Sequence, residues 1–563
     1  MQTSIFSKLF LALCLLNITI TAQSPDPVRG RNGMVVSASE LASKVGLHIL
    51  KQGGNAVDAA VAVGFALAVT YPAAGNIGGG GFMVIHTKEG KDITIDYREK
   101  APLTAFKDMY LDKEGNVIPG MSENGVTSAG VPGSVAGLIY ALEKYGTMKL
   151  ADVIQPAINL ASDGFPLDFR LAQSFNYTFQ NTTHKSSHKV FTKNGSNWNE
   201  GDIFKQPDLG KTLTLIKEKG VDGFYKGTVA ELIAKQVKQD GGFISLEDLA
   251  RYNVIERNPL KGSYKGYEII SMPPPSSGGV ALIELLNIIE NKKFNKDEWN
   301  SSEYVQYLVE AMKYVYADRS EYLGDPDFYK VPVDELTSKN YAKNIFNRIK
   351  PNSVDSVYLL KEIPAFQYES KETTHYSVYD AEGNAVSTTT TINSGFGSKV
   401  VVDGAGFLLN NEMDDFVSKP GVPNQFGLLG NEANSIQPQK RMLSSMTPTI
   451  VLKNNKPYLI VGSPGGSTII TAVLQTIMNV IDFDMDIQEA IDAPRFHHQW
   501  FPNYITYERY SLSKDTRDVL ESYGQKIGDI TELGRVEGIM IDQDSKLIYG
   551  ATDPRGNGSA EGY

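Results

Sequence analysis

The amino-acid sequence predicts an α+β fold. The first half of the chain is rich in helical patterns: apolar residues recur at helical spacing in "SELASKVGLHILKQGGN", and the next stretch, "AVDAAVAVGFALAVTY", is almost wholly apolar. From residue 371 onward, short β-type segments alternate with glycine-rich turns. Helices and strands that are segregated along the chain are typical of α+β proteins.

The composition of the whole chain restricts the class of protein. Its 563 residues suffice for several domains or for one large layered domain. With 41% hydrophobic and 21% charged residues, the composition is that of a globular protein. The formal net charge of -11 argues against a general nucleic-acid-binding protein and against docking on anionic membranes.

Residues 1–22 are predicted to be an export signal, which implies a periplasmic or secreted protein. Lys8 precedes the apolar run "LFLALCLL", which is too short to span a bilayer, and small residues indicate cleavage near Ala22. Cys14 follows Leu13 rather than a small residue, which disfavours lipidation. Because Cys14 is the only cysteine, we expect no disulfide, thiolate metal site or cysteine nucleophile in the mature chain.

Two helices are predicted before the first long strand. The first ends at Gly53–Gly54, and Asn55 then caps the apolar second helix. The second helix contains Asp58 and ends at Pro72, so we expect a buried core helix rather than a membrane span. The next segment, "GNIGGGGFMVIH", lacks the Gly-Lys-Ser/Thr of a phosphate loop and continues as a strand, which argues against a nucleotide site.

Residues 180–200 are strongly polar and are predicted to form a surface loop. His184 and His188 within this segment have the spacing of metal ligands. Histidines in so polar a stretch are more often solvated than ligating. We therefore predict no metal site there or elsewhere in the chain.

The segments "THYSVYD" and "AVSTTTTIN" flank the turn cluster "AEGN" and are predicted to form a β-hairpin. Because successive side chains of a strand point to opposite faces, Thr373, His375 and Ser377 share one face of the first strand. One face of the second strand carries the polar side chains of Ser387, Thr389, Thr391 and Asn393. A polar face rich in hydroxyl groups is therefore expected beside Thr373.

Thr373 is a candidate nucleophile only if the chain is cut before it. A threonine at the start of a chain carries its own base, because an α-amino group has an ordinary pKa of about 7.7–8. The Thr373 hydroxyl could attack the carbonyl of Glu372, which gives an ester that water opens. The run of threonines by itself also fits an ordinary β-strand, since threonine favours strands.

Further clusters carry groups that could serve a catalytic site. Arg98 in "TIDYREKAP" follows a strand and suits a bidentate grip on a carboxylate. Gly465 and Gly466 precede an apolar helix, where backbone N–H groups can stabilise an oxyanion. An acidic cluster and a serine pair complete the set: Glu412, Asp414 and Asp415, then Ser444 and Ser445. Taken singly, these clusters also fit a surface ion pair, a glycine-rich helix start or a solvated turn.

Taken together, the motifs resemble those of the γ-glutamyltranspeptidase (γ-glutamyltransferase) family. The resemblance covers essentially the whole mature chain, through "GNIGGGGFM", "DYREKAP", "VPGSVAGL", "MPPPSSGG", "TTHYSV", "GFLLNNEMDDF", "KRMLSSMTPTI", "GSPGGS" and "DPRGNGSAEGY". It implies a four-layer αββα sandwich of the N-terminal-nucleophile hydrolase type, made as one chain that cuts itself before a threonine. The implied products are a large subunit, residues 23–372, and a small subunit, residues 373–563, intertwined as a heterodimer.

The resemblance also implies a role for each candidate residue. Thr373 matches the nucleophile, and Thr391 matches the threonine that orients it. Gly465 and Gly466 match the glycines of the oxyanion hole. The remaining matches concern the head group of the substrate: Arg98, Ser444 and Ser445 at the α-carboxylate, and Asn393, Glu412 and Asp415 at the α-ammonium. This zwitterionic head group is thus expected between cationic and anionic groups on opposite sides.

The implied reaction is cleavage of the γ-glutamyl amide of glutathione or a related compound. Thr373 is expected to form an ester with the γ-glutamyl group. The group is then transferred to water, to an amino acid or to a dipeptide or other peptide. The resemblance implies no metal and no organic cofactor. It also implies no nucleic-acid partner and no membrane span in the mature protein.

One departure from the family pattern concerns a lid. The segment "KPGVPNQFGLLGNE" resembles the loop that covers the site in many bacterial members, but Phe426 stands where those often carry a tyrosine. A phenylalanine ring can shield the site but cannot donate a hydroxyl hydrogen bond. Closure of the lid through such a bond is therefore not available to this chain.

Three alternatives remain open from the sequence. An acylase for glutaryl-type side chains of β-lactam precursors would leave Asn393, Glu412 and Asp415 without an ammonium group to bind. A hydrolase of poly-γ-glutamate would need an open groove, which a lid disfavours. A processed but inactive interaction protein would not need every catalytic position to be filled.

Overall fold

The computed structural model describes residues 24–193, 195–355 and 373–563. The predicted export signal and Glu372 lie outside the described residues. Within them, two seven-stranded antiparallel sheets are stacked face to face, and a layer of helices covers the outer side of each sheet.

The strands are numbered here in chain order. They are β1 (Val28–Gly30), β2 (Gly33–Ser37), β3 (Gly80–His86), β4 (Asp92–Asp96), β5 (Phe165–Pro166), β6 (Ile203–Phe204), β7 (Ile255–Arg257), β8 (Leu260–Tyr264), β9 (Tyr267–Ser271), β10 (Thr374–Asp380), β11 (Ala385–Thr391), β12 (Thr449–Lys453), β13 (Lys456–Gly462), β14 (Phe496–His497), β15 (Ile505–Tyr507), β16 (Ile527–Ile530), β17 (Glu537–Ile541), β18 (Ile548–Thr552) and β19 (Ser559–Gly562). Sheet I has the order β1-β18-β17-β13-β12-β9-β8, and sheet II the order β19-β2-β10-β11-β3-β4-β7.

The helices are numbered in the same way. They are α1 (Glu40–Lys51), α2 (Ala56–Thr70), α3 (Ser134–Tyr145), α4 (Leu150–Asp163), α5 (Phe169–Phe179), α6 (Lys185–Phe191), α7 (Pro207–Lys219), α8 (Asp222–Tyr225), α9 (Gly227–Gln239), α10 (Leu246–Ala250), α11 (Gly278–Ile289), α12 (Ser302–Tyr322), α13 (Val333–Leu336), α14 (Lys339–Phe346), α15 (Thr468–Phe483), α16 (Ile487–Asp492) and α17 (Lys514–Ser522). A short 3-10 helix spans Glu412–Asp415.

Three apolar clusters hold the four layers together. Between the sheets, Met34 and Val84 of sheet II pack with Ile450 and Ile539 of sheet I. The outer face of sheet II packs on α1 to α4, and the outer face of sheet I packs on α11, α12 and α15. Each sheet therefore buries both faces, which explains why even the alternating strands carry few exposed side chains.

The two helices predicted near the start of the chain are confirmed. Asn55 caps α2: its Oδ1 accepts hydrogen bonds from the N–H groups of Val57 (2.9 Å) and Asp58 (3.0 Å), and Asp58 Oδ2 accepts from Asn55 N (2.8 Å). Helix α2 is buried along its whole length, as its apolar sequence predicts. In the part of the chain that the structure describes, no helix combines the length and apolarity that crossing a membrane requires.

The surface loop predicted over residues 180–200 is partly wrong. Helix α6 lies inside this segment, and its last residue, Phe191, stacks on Phe179 with ring centroids 4.4 Å apart. Trp198 Nε1 also donates to Phe191 O (2.8 Å). Polar residues surround these few aromatic side chains, so the apolar repeat in the sequence was too sparse to reveal the helix.

Both sheets contain strands from before and after Thr373. In sheet II, β10 pairs with β2 and β11 pairs with β3, so the hairpin that follows Thr373 lies between strands from the first part of the chain. In sheet I, β12 pairs with β9. The residues before and after Thr373 therefore form one fold and not two separate domains.

Candidate active site

The hairpin of β10 and β11 lies at the centre of sheet II and carries the polar face that the sequence predicts. His375 opposes Thr389, with 2.9 Å between His375 Nδ1 and Thr389 Oγ1, and Ser377 opposes Ser387. This face is turned toward sheet I, because Ser377 Oγ donates to Glu537 O (3.1 Å). Burial lowers the pKa of His375 to about 3, so the ring is neutral between the sheets.

Thr373 and Thr391 lie at the same end of this hairpin. Thr373 immediately precedes β10, and Thr391 is the last residue of β11. Both line a small, nearly filled pocket with a cavity volume of about 20 Å³. The other lining residues are Arg98, Asn393, Glu412, Asp415, Phe426, Leu428, Ser444, Ser445, Met446, Gly466, Ser467 and Ile469. The pocket therefore brings together every residue to which the family resemblance assigns a role except Gly465, which adjoins Gly466, whereas Asp414 does not line it.

Arg98 is held at the pocket by the segment that follows β4. Its backbone N–H donates to Asp96 Oδ1 (3.0 Å), and Asp96 in turn pairs with Arg257 Nε (2.7 Å) and Arg441 Nε (3.2 Å). Arg98 Nε donates to Met442 O (3.3 Å). Only 1% of Arg98 is exposed, so its charge requires compensating groups nearby.

Three carboxyl groups surround the Arg98 guanidinium. Arg98 Nη1 lies 2.6 Å from Glu412 Oε2 and 3.5 Å from Glu99 Oε2. Arg98 Nη2 forms a close ion pair with Asp415 Oδ2. Burial lowers the pKa of Arg98, but the three carboxylates outweigh that effect and raise this pKa above its ordinary value.

Burial beside one another also shifts the pKa values of the three carboxyl groups. Burial raises the pKa of Glu412 well above its ordinary value and raises that of Asp415, although Arg98 opposes both shifts. Burial raises the pKa of Glu99 to about 8. One guanidinium cannot neutralise three buried carboxylates, so at least one of the three is expected to stay protonated at neutral pH.

The cationic and anionic groups that are expected around a bound head group contact one another in this structure. Arg98 contacts both Glu412 and Asp415 directly. The reason is electrostatic, because buried charges are least costly when they are paired with one another. A zwitterionic ligand therefore has to replace ion pairs within this cluster by ion pairs between the cluster and its own charged groups.

The serine pair is positioned from the α11 and α12 side. Ser277 N and Ser277 Oγ both donate to Ser444 O, at 2.7 and 2.6 Å. Ser445 Oγ accepts a hydrogen bond from Arg319 Nη2 (3.2 Å). Both hydroxyl groups are thus held at the wall of the pocket, where they can donate to a carboxylate.

Asn393 connects the end of the hairpin to the acidic segment. It adopts a left-handed backbone conformation with a φ of 77°. Its N–H donates to Thr391 Oγ1 (2.7 Å), and its Nδ2 donates to Asn411 O (2.9 Å). Asn393 therefore ties the end of β11 to the segment that carries Glu412 and Asp415.

Gly465 and Gly466 lie between β13 and α15. Their φ angles of 135° and 57° are conformations that other residues rarely adopt, so glycine suits both positions. Thr468 Oγ1 donates to Gly465 O (2.8 Å) and ties this loop to the first residue of α15. The start of a helix presents unpaired N–H groups, which makes the loop suitable for a developing oxyanion.

The lid segment around Phe426 covers the pocket and is held by a hydrogen bond to its backbone. A Cβ atom at Gly466 would lie 3.0 Å from Phe426 Cδ1, so the Phe426 ring packs directly on that glycine. Phe426 O accepts from Gln499 Nε2 (2.9 Å), and Gln499 Oε1 accepts from Ser467 Oγ (2.5 Å). The missing tyrosine hydroxyl is therefore not needed to hold this lid closed.

Asp414 anchors the neighbouring residue of the lid. Its Oδ2 accepts from Gln425 N (3.1 Å), and its Oδ1 accepts from Ser122 Oγ (2.7 Å). Burial raises the pKa of Asp414 to about 7, although both hydrogen bonds act in the opposite direction. Lid position is thus linked to a carboxyl group that titrates near neutral pH.

Sequence reasoning missed several residues of the site. Glu99 adjoins Arg98 in "DYREKAP", and Ser277 lies in "MPPPSSGG", so neighbouring motif residues were the available signal for these two. Arg319 and Gln499 lie in segments whose local pattern indicates only a helix and a short strand region.

In the described part of the chain, no three histidine, cysteine, aspartate or glutamate side chains are grouped to hold a metal ion.

Comparison with solved structures defines the class of protein. The fold matches the crystal structure of cephalosporin acylase from Bacillus halodurans with a TM-score of 0.84 at 28% identity, covering 97% of this chain and 98% of that chain. It also matches Helicobacter pylori gamma-glutamyltranspeptidase with a TM-score of 0.56 at 49% identity, covering 61% of this chain and 96% of that chain. The two stacked sheets between helices are those of an N-terminal-nucleophile hydrolase.

Sequence comparison identifies the family within that class. The family model described as Gamma-glutamyltranspeptidase matches residues 42–563. The chain is 50% identical over 532 residues to the glutathione hydrolase proenzyme of Escherichia coli (strain K12), covering 94% of this chain and 91% of that protein. The chain therefore belongs to the γ-glutamyltranspeptidase family, and the predicted family and four-layer α+β fold are confirmed.

Proposed function

We propose that the protein is a self-processing γ-glutamyltransferase with glutathione hydrolase activity. The observation that carries the proposal is one pocket in which Thr373, at the head of a central strand, meets the Arg98 cluster and Gly466. The extensive identity to the glutathione hydrolase proenzyme of Escherichia coli supports glutathione as a substrate.

The proposed activation step uses Thr373 while it is still an internal residue. Its hydroxyl attacks the carbonyl carbon of Glu372, and an ester to Thr373 Oγ1 forms as the Glu372–Thr373 amide bond breaks. Water then opens the ester, which leaves a carboxylate on Glu372 and a free α-amino group on Thr373. The products are a large subunit of residues 23–372 and a small subunit of residues 373–563, which the shared sheets would keep together as a heterodimer.

In the proposed reaction, the Thr373 α-amino group acts as the base for its own hydroxyl. The hydroxyl attacks the γ-amide carbonyl, and the N–H groups of Gly465 and Gly466 stabilise the oxyanion. The leaving amine departs with a proton from the α-ammonium of Thr373, which leaves a γ-glutamyl ester on Thr373 Oγ1. Water then releases glutamate, or the amine of an amino acid or dipeptide takes up the γ-glutamyl group. Thr391 orients the nucleophile.

Head-group recognition is proposed to follow from the charged cluster. The α-carboxylate of the donor pairs with Arg98 and the hydroxyls of Ser444 and Ser445, while its α-ammonium pairs with Glu412, Asp415 and the amide oxygen of Asn393. Since Arg98 is already paired with two carboxylates, binding exchanges ion pairs and does not bury an uncompensated charge.

The geometry disfavours the alternatives within the family. A glutaryl-type substrate has no ammonium group, so it would leave the buried acids around Arg98 with excess negative charge. A poly-γ-glutamate chain needs an open groove, whereas Phe426 covers the pocket.

We further propose that residues 1–22 direct export, either to the periplasm or out of the cell.

The first prediction concerns self-cleavage. Intact-mass measurement of the purified protein is expected to find two polypeptides split between Glu372 and Thr373, and one uncut chain in Thr373→Ala, which lacks the attacking hydroxyl. Thr374→Ala is the matched control, because the Thr374 hydroxyl is buried without a hydrogen-bond partner among the described residues. Cleavage is expected to persist in this control. A wild-type protein that folds but stays uncut would contradict the proposal.

A donor comparison then separates the transferase from the acylase. The processed enzyme is expected to release p-nitroaniline from γ-glutamyl-p-nitroanilide about 10- to 100-fold faster, in kcat/KM, than from glutaryl-p-nitroanilide, because the second donor lacks a charge-assisted hydrogen bond from its ammonium group. Equal rates would favour the acylase. Release from neither donor by a processed chain would favour the inactive interaction protein.

A further inference from the structure

Arg319 is a second buried cation, and it lies behind Ser445, which lines the pocket. It lies near the end of α12, and only 6% of the residue is exposed. Its Nε donates to Ser277 Oγ (3.0 Å), and its Nη2 donates to Ser445 Oγ (3.2 Å). The guanidinium therefore contacts Ser445 directly and reaches Ser444 through Ser277.

The electrostatic surroundings of Arg319 differ from those of Arg98. Arg98 has carboxylate partners, Glu412 and Asp415, in direct contact. Among residues 24–193, 195–355 and 373–563, no carboxylate oxygen lies within 4.0 Å of the Arg319 guanidinium. Burial lowers the pKa of Arg319, and the charge of Asp415 opposes this only in part. Asp415 is held in contact by Arg98, so Arg319 has no described acidic group in contact with it and would stabilise an anion that approaches Ser445.

The hydrogen-bond directions show how that anion would be recognised. Ser445 Oγ accepts from Arg319, so its own proton is free to donate into the pocket that it lines. A hydroxyl that accepts from a guanidinium is polarised and becomes a stronger donor. Ser277, which also accepts from Arg319, fixes Ser444 through two bonds to its carbonyl oxygen. One guanidinium thus orients both members of the serine pair.

We infer that Arg319 is a positioning residue that sets selectivity for an α-carboxylate on the donor, acting through the hydroxyl of Ser445. Arg98 supplies the direct contact, but its charge is already shared with acidic side chains. Arg319 supplies positive charge that no described acid neutralises in contact. This inference rests on the proposed function, because it concerns the same donor site.

A purely structural role makes a different prediction. If Arg319 only tied α12 to the loops around Ser277 and Ser445, its loss would impair every donor to the same extent. If Arg319 supports recognition of the carboxylate, its substitution is expected to lower kcat/KM mainly for donors that carry an α-carboxylate. The two donors to compare are γ-glutamyl-p-nitroanilide and its analogue in which the α-carboxylate is a carboxamide, because both keep the α-ammonium and the scissile amide.

The test uses the processed, full-length protein with Arg319→Gln and Arg319→Lys. For the carboxylate donor, Arg319→Gln is expected to lower kcat/KM about 10- to 100-fold, mainly through KM, as expected for loss of a charge-assisted interaction. For the carboxamide donor, the loss is expected to be less than about threefold, and Arg319→Lys should retain part of the selectivity. Equal losses for both donors would overturn the inference.

Lys313→Gln is the matched control. Lys313 is a buried cation on the same helix, but it is paired with Glu310 (2.7 Å) and its hydrogen bonds go to Glu310 and Gln525, not to the serines. Any loss in this variant is expected to be equal for both donors. A wild-type enzyme that is processed but turns over no γ-glutamyl donor would contradict the proposed function instead, whatever Arg319 does.

A double-mutant cycle covers the case in which Arg319→Gln does not fold or is not processed. Ser445→Ala removes the group through which Arg319 is inferred to act. In that background, Arg319→Lys is expected to change KM for the carboxylate donor less than about twofold, whereas alone it raises KM more. Fully additive effects of the two substitutions would contradict the inferred route.

Discussion

At the scale of single residues, Gly466 combines two constraints that only glycine meets. Its φ of 57° lies in the left-handed region, and a Cβ atom there would approach the Phe426 ring. An L residue in that conformation costs about 1–2 kcal/mol. Gly466→Ala is therefore expected to lower kcat/KM for a γ-glutamyl donor about 10-fold, measured by steady-state kinetics on the processed enzyme, since the loop of Gly465 and Gly466 and the segment of Phe426 both have to shift.

Gly266→Ala provides the control for this prediction. Gly266 also has a positive φ, 87°, but nothing lies within 4 Å of the position of its Cβ, and it sits in the turn between β8 and β9. An alanine at Gly266 is also expected to strain the backbone, but without loss of activity. In a Phe426→Ala background, the penalty of Gly466→Ala should shrink, because only the backbone strain remains. Full activity of Gly466→Ala would show that the loop tolerates a side chain.

At the scale of elements, Gln499 links the lid to the start of α15. It donates to Phe426 O and accepts from Ser467 Oγ. Gln499→Ala leaves a buried carbonyl and hydroxyl without these partners, which costs about 1–2 kcal/mol of lid closure. We expect backbone amides of residues 424–431 to exchange with deuterium about 5- to 30-fold faster, as measured by mass spectrometry.

The control for the lid is Gln543→Ala. Gln543 Nε2 also donates to a carbonyl, Lys453 O (2.8 Å), but on an exposed turn far from the pocket. Exchange in residues 424–431 is expected to be unchanged in this variant. If Gln499→Ala also leaves that exchange unchanged, the backbone bond does not hold the lid, and the contact of Phe426 with Gly466 suffices.

At the scale of the whole molecule, Asp414 makes the stability of the fold depend on pH. Its pKa rises from an ordinary value near 4 to about 7 in the folded protein, so its contribution to stability is present below pH 4 and is lost as the pH rises toward 7. Relative to wild type, Asp414→Asn is expected to gain about 3 kcal/mol of unfolding free energy between pH 5 and pH 8, at about 1.4 kcal/mol per unit of pH up to the folded pKa.

Urea denaturation at both pH values measures this difference, in the uncut Thr373→Ala background so that a single chain unfolds. Asparagine can still accept from Gln425 N and donate to Ser122 Oγ, so the lid anchor is preserved. Asp403→Asn, at an exposed position, is the control and is expected to follow wild type. Parallel pH profiles for Asp414→Asn and wild type would contradict the assignment.

Periodic patterns made much of the fold predictable. Helices α1 and α2 and the hairpin of β10 and β11 lie where apolar spacing, the Asn55 cap and strict alternation predict them. Helix α6 was missed because its few buried side chains, Phe191 among them, are surrounded by polar residues. The site was predictable only as a set of motifs: their convergence on one pocket depends on the pairing of β10 with β2 and β11 with β3, which no local pattern encodes.

By itself, the sequence determined the local elements, the polar face beside Thr373 and the family, because short-range sterics, side-chain alternation and ordered motifs are written along the chain. Only the tertiary structure decided that Arg98 is paired with Glu412 and Asp415. It also decided that Gln499 bonds to the backbone of the lid segment at Phe426, and that Arg319 contacts Ser445. The physical reason is that these contacts join residues far apart in sequence. Burial, which is a property of the packed molecule, sets the cost of leaving each of their charges or polar atoms unpaired.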